Sequence, residues 1–589
     1  MPPACAGRIA CQRSPWLIGG ARVARPGPGA CSADPRSRTI YDNQVAWMSE
    51  AARRPVGCAR ADLCTVRCID RARRLQRPKH HELGRTLLMV GTEPGNRTHA
   101  VRAIRGVFWS SVNSVIPSLA GFLVFLVTSR YLGPAEFGVV ALAGSLVALL
   151  AVLLPTGFAE AIVQRSSVDD IHLDSTFWAA AVCALIAYAV LAICSGPFSR
   201  MLGSEWVAVL LPVAGLRLFA DAAGIVPQAI ITRRMSFELI AGRTLLATMV
   251  SAALTVLLLL AGYGVWALLI AQLSSSVTAA VAAMWGAGWR PKFRISLDAL
   301  KSLARYGAFS SGTRAMQALT TQADPAIVGL YLGPHQAGIY AFSRNLFQMI
   351  LSVLATPIGA VAHPMFSSIQ ENVDRVRKGF LLATFLSSAL SFPVFIGFAM
   401  VADLAVPVVF GSRWIDTVDP IRLYCGLGLM ACIGVIQGSL INSRGHAHWW
   451  FYYQLAAGIV TLGILVVMSR FGVTALLATV LIATIARWPF AVVKTSRLLS
   501  EPVSEYLRVF VGPAGSSVVM VAVIAAVRHV LPELPPVVAL SICIAAGALS
   551  YLATMLVIAR DQAMDVARLL AGSIGSKSRG HRGVASTPG

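Results

Sequence analysis

The sequence predicts an all-α polytopic membrane protein with about fourteen transmembrane helices, and three observations carry that prediction. Apolar residues make up 56% of the chain and charged residues only 13%, about half the charged share of a soluble domain. Apolar runs of roughly twenty residues, long enough to cross a hydrocarbon core, recur between positions 107 and 559. These runs are continuous in Ala, Leu and Val and lack the alternation of a barrel strand. The net charge of +23 would suit a nucleic-acid ligand. The basic residues lie in the N-terminal tail or between apolar runs, however, so no nucleic-acid partner is expected.

In chain order, residues 1–104 form a basic N-terminal extension. Its first 88 residues hold 16 of the 50 Lys and Arg, many Pro and Gly, and no apolar core of signal-peptide length. They read either as a disordered tail or as sequence upstream of a true start at Met89. Six spans follow at 107–130, 137–163, 175–196, 206–230, 239–261 and 264–288, making an N-terminal block over 105–288. The connector 289–305 alternates Phe293, Ile295, Leu297, Leu300 and Leu303 with Lys292, Arg294, Lys301 and Arg305. It reads as an amphipathic helix on the membrane surface or as a tether. A second block over 306–500 carries spans at 306–331, 336–362, 379–402, 420–443, 447–469 and 472–493. Two further spans, 509–530 and 535–559, fall within 501–560, and 561–589 is a polar tail. With the N-terminus cytoplasmic, the inner loops carry 16 Lys and Arg and the outer loops 6. This bias predicts that both termini are cytoplasmic.

The two blocks are related. Tyr131-Leu132-Gly133-Pro134 returns 200 residues later as Tyr331-Leu332-Gly333-Pro334, and Gly138, Ala141 and Leu146 return as Gly338, Ala341 and Leu346. Each copy joins two apolar runs through a Gly-Pro break, which predicts a helix–turn–helix corner in each half of a duplicated chain.

Charge inside the membrane is costly, so its position points to function. On the seventh span Ser310, Arg314, Gln317, Thr321 and Asp324 fall within roughly 80° of one another along about 21 Å of helix. Such a stripe faces either partner helices or a wet cavity. The first span has Ser110, Ser114, Pro117, Gly121 and Val124 at these places, so the halves have diverged there. The eighth span adds Arg344, Asn345, Gln348 and Ser352. Arg314, Arg344, Gln317, Thr321 and Gln348 are therefore candidate cavity residues. Asp324, together with the i, i+4 pair Arg217 and Asp221, is a candidate for coupling or for a structural ion pair. Arg487, Glu160 and Asp403 stand near span ends, where a side chain can reach water. None of the eleven cysteines forms a CxxC pair. No phosphate loop, HExxH or GxSxG occurs, and neither a metal nor another cofactor is expected.

The order of segments resembles a known family. The residues that carry the resemblance are R-Y-L-G-P-A-E-F-G (130–138), A-I-V-Q-R (161–165), V-P-Q-A-I-I-T-R-R-M-S-F (226–237) and G-Y-G-V-W-A-L (262–268). W-R-P-K-F-R (289–294), D-P-A-I-V-G-L-Y-L-G (324–333) and Y-A-F-S-R-N-L (340–346) continue it. Over about 105–500 the chain resembles the bacterial oligosaccharide and polysaccharide flippases of the colanic-acid exporter type. These belong to the multidrug/oligosaccharidyl-lipid/polysaccharide export superfamily. The resemblance implies two six-helix lobes around a central cavity, two extra C-terminal helices and alternating access. It also implies a lipid-linked glycan of undecaprenyl-pyrophosphate type as substrate, membrane lipids and a polysaccharide polymerase with other assembly proteins as partners, and a bacterial inner-membrane location. The chain departs from the family pattern at Gln322-Ala323, where Asn-Leu is frequent before the Asp, so no polar role carries over to those two positions. A glycan polymerase or ligase would need acid–base groups on a large outer loop, and the outer loops here are short. A small-cation drug exporter would favour acidic cavity groups, whereas Arg314 and Arg344 outnumber Asp324 and suit an anion such as pyrophosphate. A non-enzymatic transporter is the expectation.

Overall fold

Long apolar runs interrupted by Gly and Pro shape the described chain, which in this computed structural model comprises residues 116–558 apart from 166, 203–204, 370–371 and 532–533. The side chains at 305–306, 308–310, 312–320, 356 and 360–361 also lie outside the described set, as do the whole N-terminal extension 1–104, the start of the first expected span and the tail 561–589. The described residues belong to one unit, Thr98–Gly589. They contain helices and no strand. Twelve helical segments are long and apolar enough to cross a membrane, and the shorter α1, Ile116–Tyr131, precedes them.

The first half continues as α2 (Pro134–Leu150), α3 (Thr156–Gln164), α4 (Asp170–Leu202), α5 (Glu205–Gly215), α6 (Arg217–Arg233), α7 (Phe237–Leu260) and α8 (Val265–Ala287). The second span, expected unbroken over 137–163, is interrupted instead. Pro155 has no N–H to continue a helix, and a 3-10 turn at Ala151–Leu153 leads into it. The second half comprises α9 (Leu297–Ser368), α10 (Val373–Val409), α11 (Val418–Ser443), α12 (Ala447–Met468) and α13 (Val473–Leu499). After the short α14 (Val503–Arg508) come α15 (Val511–Val530) and α16 (Pro536–Ile558).

Helix α9 contains two expected spans because a single residue separates them. Gly333 has φ 80° and ψ 175°, a conformation essentially confined to glycine. The chain doubles back there. Tyr340 on the second arm donates a hydrogen bond to Asp324 on the first, and Arg344 donates to the Thr321 carbonyl. A straight helix would hold residues 324 and 340 roughly 24 Å apart. Ahead of α9, residues 289–296 are not a helix but a strap pinned to α4. The Lys292 N–H donates to Asp174 (3.1 Å) and the Ser296 N–H to the Ser175 hydroxyl (2.9 Å). Residues 297–305 are the first turns of α9 itself.

The two copies of the repeat meet each other. A Cβ on Gly138 would lie 1.8 Å from the Pro334 carbonyl oxygen, and a Cβ on Gly338 would lie 1.8 Å from that of Pro134. This reciprocity is what a two-fold relation between duplicated segments produces, with each glycine admitting the partner's backbone. Lipid tails are as apolar as Leu, so close backbone approach at small residues drives helix association more than hydrophobicity does. Beside the contact Phe125, Phe137, Phe342, Phe410 and Trp414 interlock, with the Phe342 and Trp414 rings stacked at 4.0 Å. Each such pair contributes about 0.5–1.5 kcal/mol. Trp414 donates to the Ser129 carbonyl (2.8 Å), and Arg130 donates to the carbonyls of Val408 and Val409. At the other end of α2–α3, a Cβ on Gly157 would lie 2.1 Å from the Gly307 carbonyl, and Arg165 donates to Ser302 (2.8 Å).

Helices α15 and α16 lie against α10. Arg528 grips Asp403 with two donors, one at 3.1 Å from Oδ1 and one at 2.5 Å from Oδ2, and Arg422 reaches the same carboxylate at 3.4 Å. Asp403 is thus a shared anchor between helices rather than a span-end carboxylate reaching for water.

Candidate functional site

Among the described residues, three further groupings of polar side chains lie between the apolar helices. The first joins the arms of α9. Asp324 Oδ2 accepts from the Tyr340 hydroxyl at 3.2 Å, while Oδ1 is buried with no hydrogen-bond partner. Arg344 stands close enough to act electrostatically on this carboxyl, yet its guanidinium turns to the Thr321 carbonyl. No ion pair within 4 Å joins the two. Tyr340 and Tyr424 of α11 are buried with ring centroids 6.0 Å apart, and Tyr424 stacks on Phe347 at 5.1 Å. Gln348, one turn beyond Arg344, is exposed. The backbone of α9 passes through positions 314 and 317 as helix, but the side chains of Arg314 and Gln317 are outside the described set.

The second grouping lies between α6, α7 and α8. A cavity of about 370 Å³ is lined by Arg217, Asp221, Gln228, Arg243, Thr244 and Ser276, among others. Arg217 donates from Nε to Asp221 Oδ2 at 3.1 Å. Arg243 acts electrostatically on the same carboxylate, and its own Nε is buried without a partner. A neighbouring cavity of about 480 Å³ against α3 includes Glu160 and shares Ile225 and Gln228. Arg217 and Asp221 therefore form an ion pair that also lines a pocket. Arg243, one of the 16 cations counted to the inner loops, stands near the start of the expected span 239–261. Helix α7 begins at Phe237, nearly two turns earlier, which carries Arg243 inside.

The third grouping, between α11, α12 and α13, encloses about 610 Å³. It includes Gln437, Trp450, Tyr453, Gln454, Arg487 and Trp488. Arg487, expected to reach for the membrane surface, instead lines this cavity, with its guanidinium 5.9 Å from the Tyr453 ring centre.

The second and third cavities are the same place built twice. Gly224, Ile225 and Gln228 of the first half correspond to Gly434, Val435 and Gly438, an offset of 210. The same offset relates Arg243 to Tyr453 and Thr244 to Gln454. It also relates the corner residues Met235 (φ 53°) and Gly445 (φ 79°). On the last helix of each set Ser276 corresponds to Thr484 and Ala280 to Trp488, an offset of 208. The fold repeats while the chemistry does not: the first pocket is ionic, the second aromatic and amide-rich.

The family model of polysaccharide biosynthesis proteins matches residues 127–419. Over that segment, just under half of its length, the chain is similar to polysaccharide biosynthesis proteins. It is 28% identical over 319 residues to the succinoglycan biosynthesis transport protein ExoT of Rhizobium meliloti (strain 1021), a match covering 54% of this chain and 64% of that one. It is 22% identical over 460 residues to the teichuronic acid biosynthesis protein TuaB of Bacillus subtilis (strain 168), covering 76% and 94%. The lipopolysaccharide biosynthesis protein WzxC of Escherichia coli (strain K12) is 24% identical over 369 residues, covering 60% and 72%. Among solved structures, the lipid II flippase MurJ in an inward closed conformation superposes with a TM-score of 0.64 at 13% identity. That match covers 77% of this chain and 99% of MurJ, and it shows a shared fold. Both copies of the repeated corner, 131–146 and 331–346, lie within the segment that the family model matches.

Proposed function

We propose that this protein is a flippase that carries a lipid-linked oligosaccharide, of undecaprenyl-pyrophosphate type, across the bacterial inner membrane by alternating access. The glycan would serve exopolysaccharide, capsule or O-antigen synthesis, and the lipid-linked product would pass to a polymerase and other assembly proteins. One observation carries the reading. Guanidinium groups outnumber carboxylates among the charges held between apolar helices: Arg217 and Arg243 flank Asp221, and Arg344 lies beside Asp324. A pyrophosphate crossing a hydrocarbon core needs compensating cations with several donors each, which guanidiniums provide and carboxylates do not. A small-cation exporter would need the opposite balance. The relatives' names, which refer to biosynthesis of three different surface glycans, support the same substrate class.

In this account Arg314 and Arg344 hold the pyrophosphate, with Gln317, Thr321 and Gln348 beside them, and Asp324 tunes or couples the site. The test is surface polymer in a strain that depends on this gene, with protein abundance measured in parallel. Arg314→Ala combined with Arg344→Ala should lower polymer at least tenfold, about 1.4 kcal/mol in transport barrier, at unchanged abundance. Lysine at both positions should restore only part, because the planar fork is lost. Wild-type polymer from an abundant double alanine mutant would remove both residues from the mechanism.

Both termini are assigned to the cytoplasm from the Lys and Arg distribution. A cysteine placed at Ser296 should then be protected from an impermeant outside thiol reagent, and one placed at Asp416 should react. The reverse pattern overturns the orientation.

A further inference from the structure

The two equivalent pockets have parted in chemistry, and the aromatic one carries a single guanidinium, Arg487, where the first carries Arg217 and Arg243. Its walls instead carry what a neutral polyol requires. Trp450 and Tyr453 stack with centroids 5.3 Å apart and planes 27° from parallel. Gly438 makes room for the indole: a Cβ there would come within 2.8 Å of Trp450 Cζ2. The Tyr453 hydroxyl donates to the Arg487 carbonyl at 3.4 Å, which orients the ring, and Trp488 Nε1 is buried with no acceptor. Gln437 and Gln454 add amides, each with both donors and an acceptor.

Interfacial aromatics that merely anchor a helix in the head-group region explain part of this segment. Phe451 and Tyr452 are 56% and 66% exposed and fit that role. Trp450 and Tyr453 do not, because they line the 610 Å³ cavity. That volume lies within the range of about 300–1,000 Å³ typical of small-ligand pockets. Aromatic faces meet the C–H faces of a pyranose ring, and amides meet its hydroxyls. The equivalent places in the first half hold Arg243 and Thr244, which suit charge rather than a sugar face.

We propose that the pocket between α11, α12 and α13 is the sugar-recognition subsite for the transported glycan. Trp450 and Tyr453 stack on sugar rings, and Gln437, Gln454 and Arg487 hydrogen-bond their hydroxyls. The proposal rests on the flippase reading and adds to it a separate place for the glycan's first sugar units. It separates two tasks within the second half, with the lipid-proximal phosphates held by arginines of α9 and the sugars by the aromatic pocket.

The experiment uses the full chain in nanodiscs and two probes: the phosphate-free oligosaccharide repeat released by mild acid from the host's own lipid-linked glycan, and the intact lipid-linked glycan. Wild type should bind both. Trp450→Ala and Tyr453→Ala should each weaken oligosaccharide binding at least tenfold. Tyr453→Phe, which keeps the stacking face, should stay within about threefold of wild type. Gln454→Ala, at an exposed position that tolerates truncation, should weaken binding by a smaller factor and guards against loss of folding in the aromatic variants. Oligosaccharide binding unchanged in folded Trp450→Ala and Tyr453→Ala overturns the subsite. Intact glycan bound by wild type without any affinity for the free oligosaccharide also overturns the subsite and leaves the flippase reading standing. Absence of binding to either probe removes both.

Discussion

Gly138→Ala and Gly338→Ala should each disrupt this protein more than any other single methyl addition along α2 and α9. The added carbon would start 1.8 Å from a carbonyl oxygen in either case. The obstacle is backbone on a neighbouring helix, so no rotamer change relieves it and the two halves must part. Overpacking of this kind costs about 1–3 kcal/mol and occasionally more. Each single substitution should therefore lower thermal stability in detergent and reduce polymer export at least tenfold. The double mutant should lose less than the sum of the two, because one displacement relieves both clashes. Gly144→Ala is the control: it lies on the same helix with nothing within 4 Å of a new Cβ. It should behave as wild type. Normal stability and export in both single mutants would contradict the reciprocal contact as a functional junction.

Asp324→Asn should yield an abundant protein that fails to export. The amide oxygen can still accept from Tyr340, so the local hydrogen bond survives. What disappears is the negative charge facing Arg344 and the ability to take up a proton. Asp324→Ala removes the acceptor as well and leaves the buried Tyr340 hydroxyl with only the Tyr424 hydroxyl beside it, and loss of a buried partner costs about 1–3 kcal/mol. That variant should be less abundant. Polymer yield divided by protein amount separates the two effects. Wild-type yield per protein molecule in Asp324→Asn would show that the carboxylate only supports packing.

Most of the helical layout was legible in the sequence, because apolar length and Gly-Pro corners are local signals. Gly133-Pro134 and Gly333-Pro334 marked their turns, and the conformation of Gly333 explains why glycine stands there. That the copies would touch each other was not legible, since a repeat reveals common descent and not mutual contact. Pro155 was passed over because the apolar run continues through it. The pocket residues show the limit more sharply. Arg243 and Arg487 stood near the ends of the expected spans 239–261 and 472–493, and helices that start at Phe237 and run on to Leu499 place both further inside. Trp450 and Tyr453 fall in an aromatic run, H-W-W-F-Y-Y, that composition alone assigns to the membrane interface. Their separation from Phe451 and Tyr452 depends on which face of α12 meets α11 and α13.

The central claim is that this chain moves a lipid-linked glycan between leaflets. The most direct measurement reconstitutes the full chain in liposomes holding lipid-linked glycan from the host. The fraction of glycan reachable by an external lectin is then followed as pre-existing outside label is exhausted. The account predicts that wild-type protein makes the remaining inner-leaflet glycan accessible, while the abundant Arg314→Ala, Arg344→Ala variant does so at least tenfold more slowly. Accessibility no faster than in protein-free liposomes would contradict it, as would equal rates for the glycan carrier and for an ordinary phospholipid.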